Sequence, residues 1–280
     1  MDFRILNHET FEAAKQRMQA MPYKKYFVHS DMLRGFQLKV TPFSSDGLIA
    51  AHIQTIQELT HGADIWFPTF ALDFPKTKVF DVQDTGSEMG YISEYFRTHF
   101  ARWRSHVPMH SCCGTGLCPI EINMDPADPW EQNGVFGKLV AEKGAVLFYG
   151  AGLEAVSLIH YLEKQCHVPY RYEKIFSGEI INENHSRSGI RVSHIVRPAA
   201  YDVAYDWHKL SAELMEHNLL VDLGDKRSRL FVLDAAGTFE FWSTQLLKDP
   251  FYLIDSSTKE WALPLYHKLG RPFNISDFEK

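Results

Sequence analysis

Short apolar runs alternate with segments of helical spacing along this chain. Phe11 to Met21 has the 3.6-residue period of a helix, with Ala13, Ala14 and Met18 on nearby faces. Tyr26-Phe27-Val28-His29 is a short apolar strand that stops at the polar His29-Ser30-Asp31. Ile49 to Leu59 reads as a helix, and Asp64-Ile65-Trp66-Phe67-Pro68-Thr69-Phe70 as a buried strand interrupted at Pro68. This strand–helix–strand order predicts a βαβ-like unit at the start of an α/β domain. Ser87 to Phe100 is the clearest helix: Met89, Ile92, Phe96 and Phe100 form a buried stripe, and Thr85 or Ser87 is placed to cap it.

The segment 104–133 is rich in Pro, Gly, Cys, Asp and Asn and reads as an irregular loop over a site. Ala145-Val146-Leu147-Phe148-Tyr149 is a buried strand closed by Gly150 and Gly152, and a helix carrying Ser157, His160 and Glu163 follows. That order puts the helix N-terminus at a sheet edge, where ligands of α/β proteins gather. A hairpin is expected from Ser228–Asp234 and Thr238–Trp242, joined by Ala235-Ala236-Gly237, which gives a smaller C-terminal β-containing portion. A short helix and the segment Leu247-Lys248-Asp249-Pro250 come after it. No internal repeat or linker divides the chain, so residues 1–280 are read as one domain, with a possible subdivision near 180–225.

Composition narrows the class. At 280 residues and 45% apolar content the chain can bury a large core. No twenty-residue apolar run is present, so no membrane span is expected. The charged, helical N-terminus is unlike a signal peptide, which points to the cytoplasm. Four cysteines are too few for a disulfide scaffold. A net charge of −6 argues against a nucleic-acid partner and is compatible with a cationic substrate. Fourteen histidines and 14% aromatics suit a lined pocket.

Two polar segments stand out against this core, Arg104–Ser111 and Ser157–Glu163. His160 and Glu163 lie three apart on one helix and share a face, with Ser157 extending the line. A neutral histidine held by a carboxylate is the usual means of removing a proton near neutral pH. The same spacing also describes an amphipathic helix with a surface histidine. His106, His110, Cys112, Cys113 and Cys118 are of the types zinc prefers, but no CxxC pair or second cluster accompanies them, and no metal is expected. A nucleophilic Cys112 or Cys113 with His110 or His160 as base is a further alternative. The turn Thr85-Gly86-Ser87-Glu88-Met89-Gly90 offers N–H groups to a phosphate or carbonyl oxygen, and is equally a plain N-cap. No P-loop, Rossmann fingerprint or nucleophile elbow is present.

Taken in order, several motifs resemble the aminoglycoside 3-N-acetyltransferase family, antibiotic N-acetyltransferases outside the GNAT fold. They are Val28-His29-Ser30, Phe67-Pro68-Thr69-Phe70, Thr85 through Arg97, Arg104-Ser105 with Pro108-Met109-His110-Ser111, Phe136-Gly137-Lys138-Leu139 and Ser157 to Glu163. Tyr170-Arg171 and Asp249-Pro250 also fit, so the resemblance spans roughly residues 25 to 255. It implies a cytoplasmic α/β/α layered fold with a mixed central sheet, moving an acetyl or short acyl group from acetyl-CoA or another acyl-CoA to an amine of a small-molecule amino sugar. A homodimer is one assembly open to it.

Carried over, His160 is the general base, Glu163 orients it or helps bind the amine, and the Ser157 hydroxyl stands where the family has threonine, facing the thioester oxygen. His29, Ser30, Thr85, Gly86, Ser87 and Arg104 are expected on the cofactor side. Ser105, His110 and Ser111 are expected on the acceptor side, with Asp202 and Asp206 in a region where the family has acidic residues. The chain departs from the pattern in three places. Val107 precedes Pro108 where the family has histidine; Cys112-Cys113-Gly114-Thr115-Gly116 replaces aromatic and small apolar residues; and Met32 through Ser45 holds one glycine, Gly35, where a glycine-rich loop is usual. These changes favour a biosynthetic acceptor, an amino sugar of a surface polysaccharide or secondary metabolite. The alternatives are aminoglycoside modification, a carrier-protein thioester, a hydroxyl acceptor, or a non-catalytic metal-binding module on the same fold.

Overall fold

The computed structural model describes residues 2–119 and 125–279. The chain opens with β1 (Asp2–Ile5), α1 (His8–Gln19), β2 (Lys25–Ser30), β3 (Leu38–Thr41), α2 (Ser45–Leu59) and β4 (Asp64–Pro68). Then come α3 (Phe74–Thr77), β5 (Val79–Asp81), α4 (Tyr91–His99), β6 (Trp103–Arg104), β7 (Cys112–Gly114), α5 (Val135–Ala141) and β8 (Ala145–Tyr149). The rest is α6 (Leu158–Gln165), β9 (Tyr172–Ile181), β10 (Arg187–Val196), α7 (Trp207–Glu216), β11 (Leu220–Asp222), β12 (Leu230–Asp234), α8 (Ala235–Lys248) and α9 (Ser256–Leu269).

Seven strands form the main sheet in the order β11-β12-β8-β2-β4-β7-β6. β8, β2 and β4 are parallel, as the βαβ reading predicts, and antiparallel strands complete both sides. The three parallel strands are apolar on both faces because helices cover both. On one face Tyr26, Val28, Ile65, Phe67 and Leu147 meet α1, α2 and α4; on the other Phe27, Trp66, Val146 and Phe148 meet α5, α6 and α8. The result is the three-layer α/β/α arrangement with a mixed sheet. Gly150 ends β8 at φ +79°, and a Cβ there would lie 1.9 Å from Asp31 O, so only glycine lets β8 and β2 finish side by side.

Three expectations change. The hairpin at 228–242 is not formed: Leu230–Asp234 is a strand, but residues 235–248 are α8. Asp234 accepts a hydrogen bond from the Gly237 N–H at 2.8 Å, and the buried Ala235, Thr238, Trp242 and Leu246 repeat at the helical period. The smaller β portion is instead the β9–β10 hairpin with β5 parallel to β9, in mid-chain. The helix expected from Ser87 starts at Tyr91, because Gly90 at φ +92° turns the chain and Ser87 N–H is taken by Glu94 Oε2 at 2.8 Å. Finally, the 104–133 segment contributes strands: Cys112–Gly114 pairs with β4 and carries β6 on its outer edge. Residues 120–124 of that segment lie outside the described ones.

Candidate active site

The C-terminal ends of β2 and β8 bring His29 and Ser157 together. The Ser157 N–H donates to His29 Nε2 at 3.3 Å, and the His29 ring stacks on Phe148. Burial pushes the His29 pKa down to about 3, so it is a neutral acceptor that ties β2 to the start of α6.

One turn into α6, His160 Nδ1 lies 2.9 Å from Glu163 Oε2. The carboxylate is 1% exposed, while 29% of the His160 side chain is open. Arg171, which leads into β9, places Nε 2.6 Å from the same Oε2, an ion-pair contact rather than an aligned hydrogen bond. Its Nη2 donates to the Tyr205 hydroxyl at 2.6 Å, and that hydroxyl donates to Glu163 Oε1 at 2.8 Å. Burial works to raise the Glu163 pKa, but Arg171 and His160 outweigh it and hold the carboxyl at about 2. The His160 pKa is lowered by burial and by Arg171, with Glu163 pulling the other way. A permanent carboxylate against Nδ1 keeps the proton there and leaves the Nε2 lone pair to accept one.

Trp130 packs its ring edge-on to His160 at 5.4 Å. The indole is fully buried, donates from Nε1 to His194 Nδ1 at 3.2 Å and sits 4.8 Å from the His110 ring. His110 is buried 4.5 Å from His194, and its Nδ1 has no hydrogen-bond partner among the described residues. Burial and the neighbouring histidines push its pKa well down. Among the described residues no three His, Cys, Asp or Glu side chains are grouped to hold a metal ion. The buried Cys112 and Cys113 thiols are raised, the latter to about 12, which makes either a poor thiolate nucleophile.

Of the residues expected on the cofactor and acceptor sides, Arg104, Ser105, Ser111 and the Thr85–Ser87 turn fall into a second group, whereas His29 lies with Ser157. Arg104 is 8% exposed, and its guanidinium donates to Thr69 O, Val82 O, Thr85 O and Ser111 Oγ. It binds three loop segments to one another, those at Thr69, Val82–Thr85 and Ser111. Ser105 Oγ accepts from Cys112 N–H at 2.8 Å, and Ser111 Oγ bonds to Thr69. Thr85 Oγ1 accepts from Asp81 N–H. With Ser87 N–H held by Glu94, much of the 85–87 turn's polarity is satisfied internally; Gly86 is exposed. Ser30 ends β2 opposite Gly150. His110, through Trp130, links this group to His160.

Asp202 and Asp206 join neither group. Asp202 is paired with Arg197 in solvent, and Asp206 caps α7 by accepting from Lys209 N–H. Glu163 is the acid partner of His160. Sequence reasoning gives no role to Tyr205, Trp130 or His194, since each reaches the site from a distant segment; for Arg171 the one signal is its place in the Tyr170-Arg171 match.

The chain also matches known proteins. Residues 47–244 match the family model described as aminoglycoside 3-N-acetyltransferase. No curated protein matches the sequence. Among solved structures, the aminoglycoside acetyltransferase AAC(3)-IVa apoenzyme is similar at 17% identity, covering 88% of this chain and 90% of that one, with a TM-score of 0.63. AAC-IIIb in its binary complex with CoASH is similar at 18% identity, over 85% and 96% of the two chains, with a TM-score of 0.64. The YokD protein from Bacillus subtilis is similar at 17% identity, over 85% and 93%, with a TM-score of 0.62. The structural likenesses speak for the fold, and the sequence match covers most of the chain: it belongs to the aminoglycoside 3-N-acetyltransferase family and is an N-acetyltransferase.

Proposed function

We propose that this protein moves an acetyl or short acyl group from a coenzyme A thioester to the amine of a cationic amino sugar, with His160 as general base. The observation that carries the reading is the His160–Glu163 pair, locked by Arg171 and Tyr205. A sugar ammonium cannot attack a carbonyl until it loses a proton. That first proton passes to solvent; His160 Nε2 accepts the second, from the amine nitrogen as the new C–N bond forms, and Glu163 stabilises the imidazolium. His160 then returns the proton to the departing thiolate as the C–S bond breaks, so the enzyme ends unchanged. The Ser157 hydroxyl is proposed to donate to the thioester oxygen; its N–H is already held by His29.

Coenzyme A as co-substrate is supported by the family match and by AAC-IIIb, which was solved with CoASH. A cationic acceptor is supported by charge near the base. Lys164, one turn beyond His160, meets Asp128, Glu131 and Glu173, so carboxylates outnumber the single ammonium. The altered segments Val107 and Cys112–Gly116 favour a biosynthetic amino sugar. Aminoglycoside modification is the second reading, favoured by similar structures that hold sisomicin or apramycin.

A thiol-release assay with acetyl-CoA separates the two, run against gentamicin-type aminoglycosides and simple or nucleotide-linked hexosamines. Faster turnover on the hexosamines supports the biosynthetic reading. No thiol release with any amine would sink the acyl-transfer reading altogether.

A further inference from the structure

The β9–β10 hairpin brings to the acyl-transfer centre one polar group that the proposed reaction leaves without a task. His194 of β10 is half-buried, and its Nδ1 accepts from the Trp130 Nε1–H at 3.2 Å. An indole nitrogen only donates, so this bond fixes the tautomer: Nδ1 carries the lone pair and Nε2 the proton. Trp130 is fully buried and packed against Phe136, His110 and His160, which hold the indole in place. Burial above all, then the charges of His160 and Arg171, push the His194 pKa down to about 3, with Glu163 opposing them. The ring is therefore neutral near pH 7. Among the described residues its Nε2–H has no hydrogen-bond partner, and it is not one of the polar atoms sealed away from solvent. It is an open donor whose direction is set by the nitrogen on the other side of the ring.

Position gives the donor a task. Trp130 stands against both imidazoles, its ring centre 5.4 Å from that of His160 and 6.2 Å from that of His194. His110, 4.5 Å from His194, is a second imidazole whose pKa burial pushes well down, so the wall these three rings make is uncharged. A ligand ammonium finds no partner on His194: Nδ1 is taken, Nε2 cannot accept, and the Arg171 charge reaches the ring. A hydroxyl or ring oxygen supplies the lone pair that Nε2–H lacks. We infer that His194 is a specificity-determining residue, donating from Nε2 to an oxygen of the acceptor sugar near the amine that is acylated. The preferred acceptor then carries a hydroxyl at that place and not a second ammonium. A site built to bond a hydroxyl rejects the analogue without it far more strongly than an apolar wall rejects a small change in bulk. The inference rests on the acyl-transfer reading and narrows its acceptor to hydroxyl-bearing hexosamines.

Two measurements on the full chain test it. Nitrogen NMR of histidine-labelled protein reads the donor without turnover. The signals lost in His194→Leu should come, in the wild type, from an unprotonated Nδ1 and a protonated Nε2; a proton on Nδ1 overturns the inference. Acceptor preference is read as the ratio of kcat/KM, with acetyl-CoA, for glucosamine against each of its monodeoxy analogues and the matching diamino sugars. Loss of one neutral hydrogen bond predicts that the wild type favours glucosamine on the order of tenfold over one deoxy analogue, and by more over the diamino sugar altered at the same carbon. His194→Leu should erase that one preference and leave the other ratios in place. His194→Gln, whose amide keeps a donor near the Nε2 position, should retain most of it, and circular dichroism confirms that both variants fold. If His194→Leu lowers kcat/KM for all these sugars alike, the residue only shapes the pocket, and the inference fails while the acyl-transfer reading stands. If a different amine is acetylated and glucosamine is not, the same series built on that amine is read in the same way. Thiol release with no amine sinks the acyl-transfer reading, and the inference with it, whatever the tautomer.

Discussion

In the proposed reaction His160 would draw its chemistry from residues that hold Glu163 ionised, and the consequences show at single positions. His160→Ala removes the proton acceptor, so kcat/KM should fall by about 10²–10⁴-fold while acetyl-CoA still binds. Near-normal turnover in that variant would remove His160 from its role. Because burial and Arg171 lower the His160 pKa below 6.5, the acidic limb of the kcat/KM profile should lie below that value. Glu163→Gln takes away the charge that raises it, so the limb should move to still lower pH, with a lower plateau; a limb that moves up contradicts the assignment. Glu163 also ties stability to pH. Its carboxyl is depressed from 4.5 to about 2, so its contribution is present above 4.5 and lost as pH falls toward 2. Tyr205→Phe leaves Glu163 Oε1 short of a donor in a buried site, which should cost about 1–3 kcal/mol in denaturant unfolding and slow turnover. An unchanged midpoint would mean that water replaces the hydroxyl.

Elements differ in how plainly they are written. The parallel strands were legible because burial on both faces makes them continuous apolar runs, as in Ala145–Tyr149. The same lack of polar alternation leaves β6 and β7 hidden: two or three residues such as Cys112-Cys113-Gly114 carry no period, and only pairing of β7 with β4, and of β6 with β7, defines them. At 235–242 the small residues Ala235-Ala236-Gly237 read as a hairpin turn, yet Asp234 before them is an N-cap. Asp234→Ala should therefore lower stability by about 1 kcal/mol, read as a drop in Tm, whereas a hairpin turn would lose far less. The site was legible where its residues are neighbours in sequence, as His160 and Glu163 are. Arg171, Tyr205 and Trp130 meet them only through tertiary packing, which no local pattern records.

At the scale of the whole molecule, two clusters of apolar side chains sandwich the main sheet, one of them running from Phe27 to Phe273. Among the described residues no helix is long and apolar enough to cross a membrane. The two-stranded β1–β3 ladder stands outside the main sheet, with alternate positions exposed along β1. Hydrogen exchange should accordingly release β1 and β3 amides well before those of β8; equal protection would mean that the ladder opens only with global unfolding.

The edges of the sheets bear on association between chains. The main sheet ends in β6, two residues long, and β11, three residues long. A ribbon that short gives a second chain almost no ladder to extend. The longer rim is β10, and its middle is already occupied: Ala127 N–H donates to Arg191 O, and Ser193 N–H donates to Ala127 O. Among the described residues, the edges left for strand addition are the Arg187–Ile190 end of β10 and short strands such as β1 and β3, four residues each. An assembly built instead through the helices and loops would join side chain to side chain, and its geometry would follow their shapes rather than the spacing of a backbone ladder.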